Sequence, residues 1–158
     1  MNEPVQMSID VKGLRELQAK YNKSPQVIGA AFQVAQATTA PIIQRIARVY
    51  APRDTGQLHA SILVHPTEGA GLLIKTRIGT SLKHAKWQEE GTGVYAGHGR
   101  IYPRHAKTLA WQKNGKWVFA KSVAGVKPHW FMKKARTEST PIYRANVKRE
   151  VESALKQL

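Results

Sequence analysis

The longest regular pattern in the chain runs from Pro25 to about Tyr50, and it limits what the rest can do. Val27, Ala31, Val34, Thr38, Ile42, Ile46 and Val49 recur at three- and four-residue steps, which sets them on one stripe of a helix. Ser24-Pro25 reads as its start, a capping hydroxyl followed by a proline where no amide donor is missed. Pro41 falls inside it and predicts a kink; Ala51-Pro52 ends it. A helix with one apolar stripe has to bury that stripe against another layer.

The flanking segments supply candidates for that layer. Val5, Met7, Ile9 and Val11 alternate with polar residues, the period of a half-buried strand. Leu14 and Leu17 suggest a short helix ending near Tyr21. After the Arg53–Gly56 turn, strands are predicted from Leu58 to His65 and from Leu72 to Gly79, separated by the turn-like Glu68-Gly69-Ala70-Gly71. Leu58, Ala60, Ile62 and Val64 share parity and so face one side. Lys83 to Glu90 reads as a helical turn, and Gly91 to Ala106 as a long glycine-rich basic loop, beyond the usual connection length.

Lys107–Gln112 and Trp117–Val123 flank Asn114-Gly115, the favoured pair for a tight hairpin. A two-residue turn sets Trp111 against Val118 and Leu109 against Ala120 on one side, with Ala110 against Phe119 and Gln112 against Trp117 on the other. Both sides are partly apolar, so one can cover the core while the other needs the long loop or a neighbouring subunit. From about His129 the chain reads helical, with Met132, Ala135, Ile142, Val151 and Leu155 on an inner face and Pro141 as a kink or break. The expectation is one α+β domain over residues 1–158. In it, an antiparallel sheet of about four to five strands packs against a long kinked N-terminal helix and a C-terminal helix.

Charge narrows the partners. Twenty-five Lys and Arg stand against ten Asp and Glu, a net +15, and such a field draws in polyanions. From Gly69 to Thr137 the acidic residues are Glu89 and Glu90 alone, while Arg100, Arg104, Lys107, Lys113, Lys116 and Lys121 all fall in that span. These six are candidate contacts to DNA or to an acidic partner. The stretch Tyr95–His105 mixes glycine, arginine and aromatic residues; it suits phosphate and base stacking or a surface loop that orders on a partner protein. The chain has no cysteine, hence no disulfide frame or thiolate metal site. Residues 1–10 carry no basic segment followed by an apolar run, so no secretory signal is expected there. No stretch approaches the ~20 apolar residues that cross a bilayer, and no membrane partner is expected.

Enzyme readings are weak. Gly91, Gly93 and Ala96 match a loose dinucleotide fingerprint, but Glu89-Glu90 precedes it where a strand is required. Adjacent Glu89 and Glu90 diverge on either a strand or a helix, a poor acid–base pair. His59, His65, His84, His98, His105 and His129 lack metal-ligand spacing. No catalytic, cofactor-binding or metal-binding residue is assigned, and no cofactor is expected. A stand-alone basic nucleic-acid-binding protein remains an alternative, although no known nucleic-acid-binding signature appears. A small hydrolase using Glu89 or Glu90 with a histidine is a second.

Three segments, in order, carry a resemblance. The first is Ala51-Pro52-Arg53-Asp54-Thr55-Gly56-Gln57-Leu58-His59-Ala60-Ser61-Ile62; the second is Glu90-Gly91-Thr92 after Trp87; the third is Lys127-Pro128-His129-Trp130-Phe131-Met132-Lys133-Lys134-Ala135. Together they resemble the tail-completion or head–tail joining (neck) proteins of long-tailed bacteriophages, the "gene product ten-like" tail components. The resemblance covers nearly the whole chain; the insertion-like stretch Val94 to Arg104 departs from it. It implies a non-enzymatic virion protein at the head–tail junction, assembled in the host cytoplasm as a cyclic ring, commonly a hexamer. One ring face would meet head-side connector proteins associated with the portal, the other the tail tube, with DNA passing non-specifically through the lumen. Pro52, Asp54, Thr55, Gly56, Leu58, Ser61, Ile62, Trp87, Glu90, Gly91, Thr92, Pro128, Phe131 and Ala135 would then be structural motif residues. Asp54 and Thr55 would accept local backbone hydrogen bonds. Trp117 and Phe119 would lie at the subunit seam.

Overall fold

The structure, a computed structural model, describes residues 12–113 and 115–157. The strand expected at Val5–Val11 lies outside them, as does Asn114.

The expected short and long N-terminal helices form one helix, α1 (Lys12–Tyr50). Pro25 therefore sits inside α1. A proline cannot donate to the carbonyl four residues back, and the Ser24 hydroxyl donates to that Tyr21 carbonyl instead, at 2.7 Å. Ser24 fills a gap in the helix rather than capping its start. Pro41, on the exposed side, also lies within the continuous helix.

The buried seam of α1 matches the expected stripe only in part: Ala31 is buried and Ile46 packs against the core, but other members are not buried. Ala31, Ala35, Thr39, Ala40 and Ala47 are buried, whereas Val34 and Val49 are 49% and 64% exposed. The reason is the neighbour. The C-terminal helix α4 (Phe131–Leu155) buries Phe131, Ala135 and Ser139 at four-residue steps. Alanine and serine let the two backbones approach, and larger residues rotate outward. The Thr39 hydroxyl donates to the Ala35 carbonyl at 2.7 Å and accepts from Asn146 Nδ2 at 3.0 Å, so the polar members of the seam are satisfied. Tyr50 meets Glu138 while Thr39 meets Asn146, which makes the helices antiparallel. Pro141 does not break α4. Ile142 and Leu155, expected on its inner face, are exposed.

At 1.5 Å per residue, α1 is about 58 Å long and α4 about 37 Å, so α1 outruns its cover. Leu17 and Tyr21 lie five full turns before Ala35 and Thr39, on the same side of α1, and there they are exposed.

The segment expected as a strand from Leu58 begins instead as a helical turn, α2 (Gln57–Ser61), led by Gly56 at φ 78°. Leu58 and Ile62 are both buried, the first inside the helical turn and the second at its extended C-cap; Ala60, which a strand would have turned to the same side, is exposed. The core joins Ala47 and Ala51 of α1, Leu58, Ile62, Ala85, Phe131 and Ala135. Gln44 Nε2 and Arg48 Nη2 both donate to the Ile62 carbonyl, at 2.7 and 2.9 Å, fixing the exit of this turn against α1.

No sheet of four to five strands is present among the described residues; there are three two-stranded antiparallel ladders. β1 (Leu63–Val64) pairs with β4 (Ile78–Gly79), and β2 (Glu68–Ala70) with β3 (Leu73–Lys75). These two ladders are stretches of one hairpin. Three residues, 65–67, face two, 76–77, so one extra residue bulges between them. Pro66, which has no donor for a ladder, occupies the bulge. The turn falls at Gly71-Leu72, not at Glu68–Gly71, which is largely strand. Gly71 touches α1 at Gly29, where an added Cβ would lie 2.5 Å from the Gly71 carbonyl oxygen. The third ladder, β5 (Leu109–Lys113) with β6 (Lys116–Ala120), has the expected register: Leu109–Ala120, Ala110–Phe119, Trp111–Val118 and Gln112–Trp117.

Candidate functional site

The second and third motif segments meet at one joint. A short helix, α3 (Ala85–Glu90), carries Trp87 and is stopped by Gly91 at φ 79°, whose amide bonds back to the Trp87 carbonyl at 2.9 Å. From here the chain lies against residues 124–130. The Thr92 amide donates to the Val126 carbonyl at 2.9 Å and the Val126 amide to Thr92 Oγ1 at 2.8 Å. The amides of His129 and Trp130 donate to the carbonyls of Gln88 and Glu89. The approach is close enough to require glycine: a Cβ on Gly93 would stand 2.4 Å from the Ala124 carbonyl oxygen, and one on Gly125 2.2 Å from that of Thr92.

At this joint α4 begins without a cap of its own. Its N-cap residue is Trp130, with left-handed φ 53° and ψ 35° and no side-chain cap bond. Glu89 supplies what is missing. Its two carboxylate oxygens accept the amides of Met132 and Lys133 at 2.9 and 3.0 Å, satisfying two orphan donors with a negative charge at the positive end of the helix dipole. Sequence reasoning weighed Glu89 only as an acid or base and missed this role. The signal was a helix opening on Trp-Phe-Met with no Ser, Thr, Asp or Asn before it. Glu90, the motif residue, is exposed and faces Lys86 at 3.9 Å.

The first motif segment has mixed roles. Leu58 and Ile62 are core. The Ser61 hydroxyl donates to the Leu58 carbonyl at 2.8 Å and meets Thr80 Oγ1 at 2.7 Å. Pro52, Asp54, Thr55 and Gly56 line a shallow hollow with His84 and Gln88, beside the cap joint. Thr55 Oγ1 accepts the Gln57 amide only at 3.5 Å. Contrary to expectation, the exposed Asp54 side chain makes no hydrogen bond among the described residues. Phe131 anchors α4 in the core, and Ala135 lies on its inner face as predicted.

The basic candidates gather on the β5–β6 hairpin and its base. The long segment before it is fastened, not a free loop: Gly93–Ala96 forms a short 3-10 helix and Ile101 bridges Val123 through two backbone bonds of 2.9 and 3.0 Å. Arg100 is committed locally, Nε to Ser122 Oγ at 2.9 Å and Nη2 to the Ser122 carbonyl at 3.3 Å. Arg104, Lys107, Lys113, Lys116 and Lys121 are exposed. None belongs to the ion pairs of the described residues, which are Arg77–Glu68, Lys86–Glu90, Lys148–Glu152 and Arg149–Glu150. Lys113 and Lys116 oppose each other in the last rung before the turn. On the other face of the hairpin Trp117 and Phe119 are 62% and 65% exposed, with rings stacked at 6.4 Å and 24°.

Among the described residues no three His, Asp or Glu side chains converge on a metal-sized site, and no helix is long and apolar enough to cross a membrane. The hydrogen bond and charge of Glu138 raise the Tyr50 phenol above its ordinary value. Comparison of the chain with family models, with curated proteins and with solved structures finds no match.

Proposed function

We propose that this protein is a non-enzymatic ring subunit at the head–tail junction of a long-tailed bacteriophage, a tail-completion or head–tail adaptor protein. The observation that carries this reading is the hairpin face of Trp117 and Phe119, two large stacked aromatic rings left in water by a single chain. Exposed apolar surface of this kind marks an interaction site. Motif residues such as Leu58, Gly91, Thr92, Phe131 and Ala135 are engaged in internal packing and joints, as fits a scaffold rather than a reaction centre.

In a cyclic assembly each subunit offers one patch to the next and receives another, and the ring closes. The hairpin supplies the first patch. The adaptor then works through geometry: one ring face seats on head-side connector proteins and the other caps the tail tube, around a lumen open to DNA. Negative-stain electron microscopy of the purified protein tests the reading. Closed annuli are expected, and they should vanish for the W117S/F119S variant while its circular dichroism stays native. Annuli unchanged in the variant would remove the hairpin from the seam; a field of single small particles for the unaltered protein would remove the ring.

A further inference from the structure

We infer that the β5–β6 hairpin is a contact element for duplex nucleic acid, binding the phosphate backbone without regard to sequence. Five cations define it: Lys113 and Lys116 at the tip, and Arg104, Lys107 and Lys121 at the base. All are exposed and none is ion-paired among the described residues. Arg100 is excluded because Ser122 already holds its guanidinium.

Two features make this a site rather than a general surplus of charge. Like charges directly opposite on a ladder weaken it, yet Lys113 and Lys116 face each other in the terminal rung, an arrangement that an external polyanion relieves. No acidic residue occurs between Gly91 and Thr137, so nothing nearby in sequence neutralises the hairpin, whereas Lys148 and Arg149 on α4 sit beside Glu152 and Glu150. Lys107 is six residues from Lys113 and Lys121 is five from Lys116, about 17–20 Å of extended chain. Duplex DNA presents a charge roughly every 1.7 Å of its axis, so both clusters meet phosphate at once. Contacts to phosphate position a duplex and carry no sequence information. The partner is therefore a duplex polyanion, read by charge density.

The inference names a partner for the proposed ring and in that sense rests on it, but the two fail separately. Affinity for a short labelled DNA duplex of mixed sequence is measured against salt for the full chain, and mass is measured on the same samples. Five phosphate contacts predict a log–log slope of about −4 to −5, or about a 500-fold loss between roughly 50 and 200 mM salt. K113Q/K116Q should reduce that loss to about 40-fold and keep the mass of the unaltered protein. K148Q/R149Q, with the same change in net charge, should leave the slope unchanged. Any of three results overturns the inference: no duplex binding at low salt, as for cations that meet an acidic protein; an equal loss of slope in both variants; or single strands bound more tightly than duplex, which would make Trp117 and Phe119 a stacking platform. A monomer that shows the predicted slopes would instead remove the ring and leave this contact standing.

Discussion

Glu89 caps the helix that Trp130 opens. The tryptophan occupies the N-cap position in a left-handed conformation and offers no acceptor, and the Glu89 carboxylate takes the amides of Met132 and Lys133 in its place. The joint between α3 and α4 is thus a capping interaction made across a long stretch of sequence. Removing a cap costs about 1–2 kcal/mol, and for a chain of this size each kcal/mol lowers Tm by about 2–4 °C. Glu89→Ala should therefore lower Tm by several degrees in a thermal melt. Glu90→Ala, which removes only an exposed pair with Lys86, should change stability by less than about 1 kcal/mol. Equal effects would contradict the cap.

Trp130 carries the only positive φ of a non-glycine residue among the described residues. Left-handed backbone costs an ordinary residue about 1–2 kcal/mol, and asparagine tolerates it better. Trp130→Asn should melt at or above the unaltered temperature, whereas the β-branched Trp130→Val should lose about 1–2 kcal/mol or more. A destabilised asparagine variant would mean that the ring, which lies under Lys133, contributes more than the backbone costs.

The strap at Gly93 and Gly125 separates strain from crowding. Gly97 has φ 78° with nothing within 4 Å of an added Cβ, while Gly93 has φ 59° and the Ala124 carbonyl oxygen at 2.4 Å. Gly97→Ala should cost about 1 kcal/mol from conformation alone. Gly93→Ala should cost clearly more, by chemical denaturation, because the strap has to move. Similar values for the two would show that the strap gives way easily.

Tyr50 sets an alkaline limit. Its phenol is raised above the ordinary value by Glu138. The stabilisation from this pair is complete below the ordinary phenol pKa and is lost as pH climbs through the higher folded one. Tyr50→Phe should flatten the loss of stability on that alkaline limb and remove one raised phenol titration from the ultraviolet absorbance curve. An unchanged titration would contradict the pairing.

How far the chain could be read from sequence depended on the range of the forces involved. The β5–β6 register was legible because Asn114-Gly115 and the alternation around it are local. Phe131, Ala135, Leu58 and Ile62 were legible as core because their apolar character survives a change of element. The α1 seam was legible only in part: Ala31 is buried and Ile46 packs against the core as the stripe implies, but the close approach of α4 selects Ala35 and Thr39 over Val34 and Val49. Pro25 misled because the Ser24 hydroxyl takes over the carbonyl that the proline leaves. The single expected sheet reduced to separate ladders because a one-residue bulge at Pro66 and a helical turn at Gln57–Ser61 interrupt what alternation reads as continuous strand. Glu89 was invisible as a cap because its partners lie more than forty residues away.

The ring is the central claim, and absolute mass in solution tests it most directly. Light scattering behind a sizing column, at low and moderate salt, should give a closed species of about six subunits built from the 17.6 kDa chain, reduced to a monomer in W117S/F119S. A monomer at every salt and concentration would contradict the ring reading and leave the hairpin without its proposed neighbour.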